Sequence, residues 1–150
     1  PLTVAAHGGT FLQDGIPDIA YLTMTFPSGA VGHVHASWLD PIKTRCLVAV
    51  GDGGMAVYDD TATERLIYHN KRAVREGNRF VPESGSEEPI VLVPGEPLRS
   101  MAEAFLHSVR TGEAPRACGR DGLRVVRVLE AAQASMDAGG TPVRMERPHE

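Results

Sequence analysis

Polar and apolar residues alternate from Asp18 to Phe26. Ala20, Leu22, Met24 and Phe26 fall on one side, and Tyr21, Thr23 and Thr25 on the other. A period of two predicts a strand with one buried face. Pro27-Ser28-Gly29 reads as a tight turn of hairpin type. Alternation resumes from Ala30 to Trp38, setting Gly32, Val34, Ala36 and Trp38 against His33, His35 and Ser37. Asp40-Pro41 breaks it. Thr44 to Val50 is richer in Val, Leu and Ala, which predicts a more deeply buried strand, and Gly51-Asp52-Gly53-Gly54 turns the chain back into Met55 to Asp59. Four strands in succession therefore fill Tyr21 to Asp60. Before them Leu2 to His7 is a short strand, followed by a loop bracketed by Gly8-Gly9 and Asp14-Gly15-Ile16-Pro17. After them Glu64 to His69 is a sixth strand and Pro89 to Val93 a short late one. Asn70 to Glu88 is charged and aperiodic, and reads as a surface excursion.

The period then changes to that of a helix. Leu98, Met101, Ala102, Phe105 and Val109 form one apolar stripe, with Pro97 suited to the first helical position and Gly112 to a left-handed cap. A second helix is expected near Asp121 as N-cap, with Val126, Leu129, Ala132 and Met136 as its buried line and Gly139-Gly140 as its stop. Pro142 to Met145 is a last strand before a polar tail. Strands first and helices last predict an α+β fold, an open and mostly antiparallel sheet with two C-terminal helices packed on one face. There is no internal repeat.

At 150 residues the chain suits a single domain with its own core. A net charge of −4 argues against a nucleic-acid surface, which needs a basic face. No apolar run reaches about 18 residues, so no membrane span is expected. Without a secretory leader, the expected location is cytoplasmic, with Cys46 and Cys118 as reduced, buried thiols. Pro1-Leu2-Thr3-Val4 runs straight into a strand, and the chain is expected to begin mid-protein.

Gly51-x-Gly53-x-x-Ala56 satisfies a dinucleotide pattern, which works only where a helix N-terminus follows to hold the pyrophosphate. No amphipathic helix follows here, so a hairpin turn is expected and no cofactor-binding residue is assigned. His33 and His35, two apart on one strand, share a face. That spacing could chelate zinc, but no third ligand is evident; the alternatives are a polar or subunit-interface face, and substrate contact. Trp38-Leu39-Asp40-Pro41-Ile42-Lys43-Thr44-Arg45 gathers an aromatic, a carboxylate, an ammonium and a guanidinium at one strand crossing. Arg offers planar, bidentate recognition of carboxylate or phosphate, and Lys a point charge. The cluster fits an anionic substrate such as a nucleotide-linked sugar; the plainer alternative is a solvated connection with Asp40 paired to Lys43 or Arg45. Lys71, Arg72 and Arg75 read as a solvated loop, and Arg120, Arg124 and Arg127 as an exposed helix face. No Ser, His and Asp set has a legible spacing, so no catalytic residue is assigned.

Several segments in order resemble the C-terminal, dihydrodipicolinate-reductase-like domain of Gfo/Idh/MocA-type oxidoreductases. They are Phe26-Pro27-Ser28-Gly29-Ala30, Gly32-His33-Val34, Val50-Gly51-Asp52-Gly53-Gly54, Met101-x-x-x-Phe105, Val109-Arg110-Thr111-Gly112-Glu113-x-Pro115, Asp121-Gly122-Leu123 and Glu130-Ala131-Ala132-x-x-Ser135. The resemblance implies one part of a two-domain NAD- or NADP-dependent dehydrogenase acting on a sugar, nucleotide-sugar or cyclitol. An absent Rossmann domain would bind the cofactor, and the open sheet face would form a homo-oligomer. The family's catalytic Lys (in Glu-Lys-Pro) and His (in Asp-x-x-x-His) have no counterparts, since Glu146-Arg147-Pro148 in the tail is no substitute. The resemblance strengthens Lys43 and Arg45 as substrate contacts, with His33, His35 and Trp38 as further candidates. The rival expectation is a non-catalytic oligomerisation or ligand-binding module.

Overall fold

The computed structural model describes residues 1–83 and 85–146, so Arg147 and Pro148 of the tail lie outside the described residues. Its elements are β1 (Thr3–Gly9), β2 (Ile19–Thr25), β3 (Val31–Ser37), β4 (Cys46–Gly51), β5 (Gly54–Asp59), β6 (Leu66–His69), β7 (Arg72–Glu76), β8 (Arg79–Glu83), β9 (Glu87–Pro89), α1 (Pro97–Thr111), α2 (Gly119–Asp137) and β10 (Val143–Arg144). The fold is α+β with antiparallel sheets and two late helices, as the pattern predicts. The chain divides into two compact units, Pro1–Asp40 with Met101–Glu150, and Pro41–Ser100. No helix among the described residues is long and apolar enough to cross a membrane.

The first unit carries a four-stranded sheet in the order β10-β1-β2-β3. Its alternation sorts as expected: Leu22 and Met24 turn inward, while Tyr21 and Thr23 face outward. Val4, Ala6, Ala131 and Ala132 form the buried centre, surrounded by Leu22, Met24, Val128, Met136, Val143 and Met145. Small side chains at Ala6, Ala131 and Ala132 let α2 approach β1 closely. The expected buried line of α2 is corrected by this packing. Ala131, Ala132 and Ser135 are buried, whereas Val126 and Leu129 are about half exposed. Ser135 explains the rotation. Its hydroxyl accepts the Ala6 N–H at 2.9 Å and donates to the Thr141 carbonyl at 2.8 Å, which fixes that face of the helix against β1.

The start of α2 is also shifted. Cys118 is the N-cap, and Asp121 reaches back to accept its backbone N–H at 3.0 Å and its thiol at 3.2 Å. These bonds, backbone first, and Arg124 beside it hold the Asp121 carboxyl below the usual carboxylate range. Helix α1 starts where Pro97 predicts, and the Glu96 carboxylate caps it by accepting Leu98 N–H at 3.2 Å and Arg99 N–H at 2.6 Å. It stops at Gly112, whose φ of +75° is the left-handed cap conformation. Its stripe of Leu98, Met101, Phe105 and Val109 is, however, about two-thirds exposed.

The second unit holds a four-stranded sheet, β4-β5-β6-β9, and a separate β7-β8 hairpin. Three expectations are corrected here. β4 is exposed along its length, with Leu47, Val48 and Val50 mostly open to solvent, because Val and Leu density signals strand propensity without saying what covers the strand. The 70–88 excursion contains paired strands: Glu76 lies opposite Arg79 across Gly77-Asn78, Gly77 has φ +62° and Arg72 bonds Glu83 at 2.9 Å. The late strand runs Glu87–Pro89, earlier than predicted, although Ile90 N–H still bonds the Leu66 carbonyl. The thiols are also corrected, for Cys46 is exposed and Cys118 half-buried.

Candidate functional site

The outward face of the first sheet is a set of cross-strand rows. Register places His7 opposite Tyr21 and Tyr21 opposite His35, and places Ala5, Thr23 and His33 in the next row. The Tyr21 and His35 rings stack at 4.6 Å with planes 8° apart. His35 Nε2 lies 3.8 Å from Asp40 Oδ2. Asp40 thus turns to His35, contrary to the expected pairing with Lys43 or Arg45. Rings, hydroxyls and a carboxylate make this face polar and rich in donors and acceptors. Among the described residues no group of three or more His, Cys, Asp or Glu is placed to hold a metal ion.

Trp38 stands at the end of β3 with 84% of its surface exposed. Its position is set by a residue the sequence pattern presents only as a strand start. Asp18 is buried; its backbone N–H bonds the Gly9 carbonyl, its carbonyl accepts the Trp38 N–H at 2.8 Å, and its carboxylate accepts Phe11 N–H at 2.6 Å and Leu12 N–H at 2.8 Å. One buried carboxylate therefore shapes the 10–17 loop and anchors the chain at Trp38. A lone Asp between a Pro-bearing loop and an alternating run is the signal available in the sequence.

In the second unit Lys43 is exposed and Arg45 immediately precedes β4. The antiparallel β4-β5 pairing brings Asp60 beside Arg45, joined by Asp60 N–H to the Arg45 carbonyl at 3.0 Å. Arg45 Nη1 lies 3.4 Å from Asp60 Oδ2, Arg65 Nη1 lies 3.9 Å from Asp60 Oδ1, and the Tyr58 hydroxyl donates to Oδ1 at 3.1 Å. The Tyr58 and Arg45 hydrogen bonds hold the Asp60 carboxyl below its ordinary range, and the same Tyr58 bond pushes the phenol up. Asp60, Tyr58 and Arg65 were not among the predicted site residues. The turn at Asp52-Gly53 was the available signal, because it sets position 45 opposite position 60.

That same turn decides the glycine run. Gly51 pairs with Gly54, and β5 follows at once. Gly54 has φ +150° with the Tyr68 ring packed where a Cβ would stand, and the Tyr68 hydroxyl bonds the Gly53 carbonyl at 2.7 Å. A dinucleotide needs a helix N-terminus at this point, and a strand occupies it; these residues do not fit the cofactor.

No family model matches the sequence, and no curated protein matches it. Solved structures do match. UDP-N-acetylglucosamine 3-dehydrogenase GnnA from Acidithiobacillus ferrooxidans aligns over 90% of this chain and 38% of its own, with TM-score 0.65 and 23% identity. The WlbA dehydrogenase from Bordetella pertussis, solved in complex with NADH and UDP-GlcNAcA, aligns over 97% of this chain and 39% of its own, with TM-score 0.66 and 17% identity. An oxidoreductase domain protein from Kribbella flavida gives TM-score 0.72 at 17% identity, covering 97% of this chain and 44% of its own. The chain has the fold of the C-terminal region of Gfo/Idh/MocA-type oxidoreductases. It spans about two fifths of the length of these similar proteins.

Proposed function

We propose that the chain is the C-terminal, substrate-covering and self-associating domain of a larger cytoplasmic NAD- or NADP-dependent oxidoreductase that acts on a hydroxyl of a sugar, nucleotide-sugar or cyclitol. The supporting observation is the fold correspondence over 90–97% of this chain with about two fifths of the similar oxidoreductase chains, one of them a UDP-N-acetylglucosamine 3-dehydrogenase and another solved with UDP-GlcNAcA. In this reading the nicotinamide and the acid–base groups belong to the preceding Rossmann domain, and this chain binds and orients. Lys43 and Arg45 hold the anionic portion of the substrate. The polar face bearing Thr23 and His33 pairs with a second copy. The exposed stripe of α1 meets the rest of the parent; burying one large apolar side chain contributes about 1.5–3 kcal/mol.

Chemical-shift titration of the chain with UDP-N-acetylglucosamine tests the reading. Shifts centred on Lys43, Arg45 and their strand neighbours, weakened in both Lys43→Ala and Arg45→Ala, are the expected result. Shifts scattered over the surface, or unchanged in both variants, would refute it.

A further inference from the structure

A single guanidinium beside a single carboxylate is a solvated ion pair, worth little and binding nothing. The 45–65 cluster differs in its count. Arg45 and Arg65 share one carboxylate, each touching a different oxygen of Asp60 through one nitrogen only, at 3.4 and 3.9 Å. Neither makes the two-nitrogen fork in which Arg grips a carboxylate most strongly. Among the described residues no other carboxylate lies within ion-pair reach of either guanidinium. The adjacent acid, Asp59, is turned elsewhere, its Oδ1 accepting Thr61 N–H at 2.8 Å and Thr61 Oγ1–H at 2.6 Å. Both guanidinium side chains remain open to solvent, at 63% and 57%.

Asp60 is itself fixed. The Tyr58 hydroxyl bonds Oδ1 and the backbone N–H of Asp60 is tied to Arg45. A fixed carboxylate thus holds a guanidinium at each oxygen, and both guanidinium groups keep solvent-exposed donors. Arg65 also lines an open groove of about 560 Å³ with Thr63, Glu64 and Val91, a size that accommodates the remainder of a small ligand. Glu64 is the one acid of that lining and repels a further anionic group, so the groove suits a neutral body behind an anionic head.

We propose that Arg45 and Arg65, spread over the two oxygens of Asp60, are a paired seat for a diphosphate group. Two phosphoryl units joined by one bridging oxygen present each guanidinium with a phosphoryl group of its own and more charge than a single phosphate carries. The proposal rests on the reading above for the anionic portion of the substrate, and adds both Arg65 and the chemical class.

Isothermal titration of the 150-residue chain with inorganic pyrophosphate, at low ionic strength, tests it. Charge-assisted hydrogen bonds of this kind imply a weakening of about tenfold on losing one side chain. Arg45→Ala and Arg65→Ala should each show it, Arg65→Lys should lose most of the same affinity because an ammonium lacks the fork, and Arg79→Ala on β8 should bind as the parent does. Inorganic phosphate should bind roughly tenfold more weakly than pyrophosphate. Melting midpoints confirm folding, and Arg65→Lys replaces Arg65→Ala if the latter unfolds. UDP binding at least as well as pyrophosphate supports a nucleoside diphosphate; failure of UDP to bind overturns that class. Loss in Arg45→Ala with none in Arg65→Ala overturns the pairing and leaves Lys43–Arg45 as the anion holder. Loss in neither overturns both, and equal loss in Arg79→Ala overturns the site as a specific one.

Discussion

Ser135 is the fully buried polar side chain that locks α2 to the first sheet, and Ser135→Ala removes both of its bonds at once. Strand β10 pairs with β1 only at Thr3 and Val4, so the Ala6 N–H on that edge depends on the Ser135 hydroxyl. Leaving a buried N–H without a partner costs about 1–3 kcal/mol. Loss of the bond to Thr141 adds to this, while the better helix propensity of alanine offsets roughly 0.5 kcal/mol. A net destabilisation of about 2 kcal/mol results, which for a chain of this size lowers the melting midpoint by about 4–8 °C. Urea denaturation followed by far-ultraviolet circular dichroism measures the free energy. Amide exchange then locates it, since the Ala6 N–H should lose protection before the β4-β5 amides do. A change below about 0.5 kcal/mol with Ala6 still protected would refute the assignment of Ser135 as the lock.

Asp18→Ala should cost about 3 kcal/mol, because two N–H groups lose a charged acceptor, whereas Asp18→Asn should cost clearly less; exchange at Phe11 and Leu12 distinguishes them, and equal effects would contradict the carboxylate's role. Asp59, Asp60 and Asp121 all have folded values held below the ordinary one, by the Thr61, Tyr58 and Cys118 bonds respectively. Their contribution is therefore complete above about pH 4 and is lost as the pH falls through the lower folded values. The urea midpoint should be level from pH 7 to 5 and fall below pH 4, and a midpoint that rises on acidification would contradict this. For the proposed pairing through the polar sheet face, Thr23→Lys beside His33 should weaken self-association at least tenfold by sedimentation equilibrium, since an unpaired ammonium would be buried there; association unchanged in the variant would refute that pairing.

Local signals in the sequence were faithful where one interaction decides the structure. Alternation placed β2 and β3 within a residue or two, but only β2 buries its alternate side chains; along β3 Val34 and Trp38 stay exposed. Pro97 and Gly112 bounded α1 because each acts through its own backbone. Burial was less legible. β4 looks like a core strand and is exposed, and the side of α2 that packs was chosen by Ser135 and two alanines instead of by Val126 and Leu129. The 72–83 hairpin was hidden by its charges, although Gly77-Asn78 carries the signal of a two-residue turn. At the candidate site, Lys43 and Arg45 were visible as neighbours in sequence. Asp60, Tyr58 and Arg65 were not, since only strand register brings them to Arg45.

Calorimetric titration of the 150-residue chain with NADH, alongside UDP-N-acetylglucosamine, tests most directly whether this polypeptide covers substrate and leaves the cofactor to other sequence. The account predicts heat for the nucleotide-sugar with affinity falling about tenfold in Arg45→Ala, and for NADH no more than the weak, Arg45-dependent contact that its diphosphate can make. Tight, stoichiometric NADH binding that survives Arg45→Ala would contradict it.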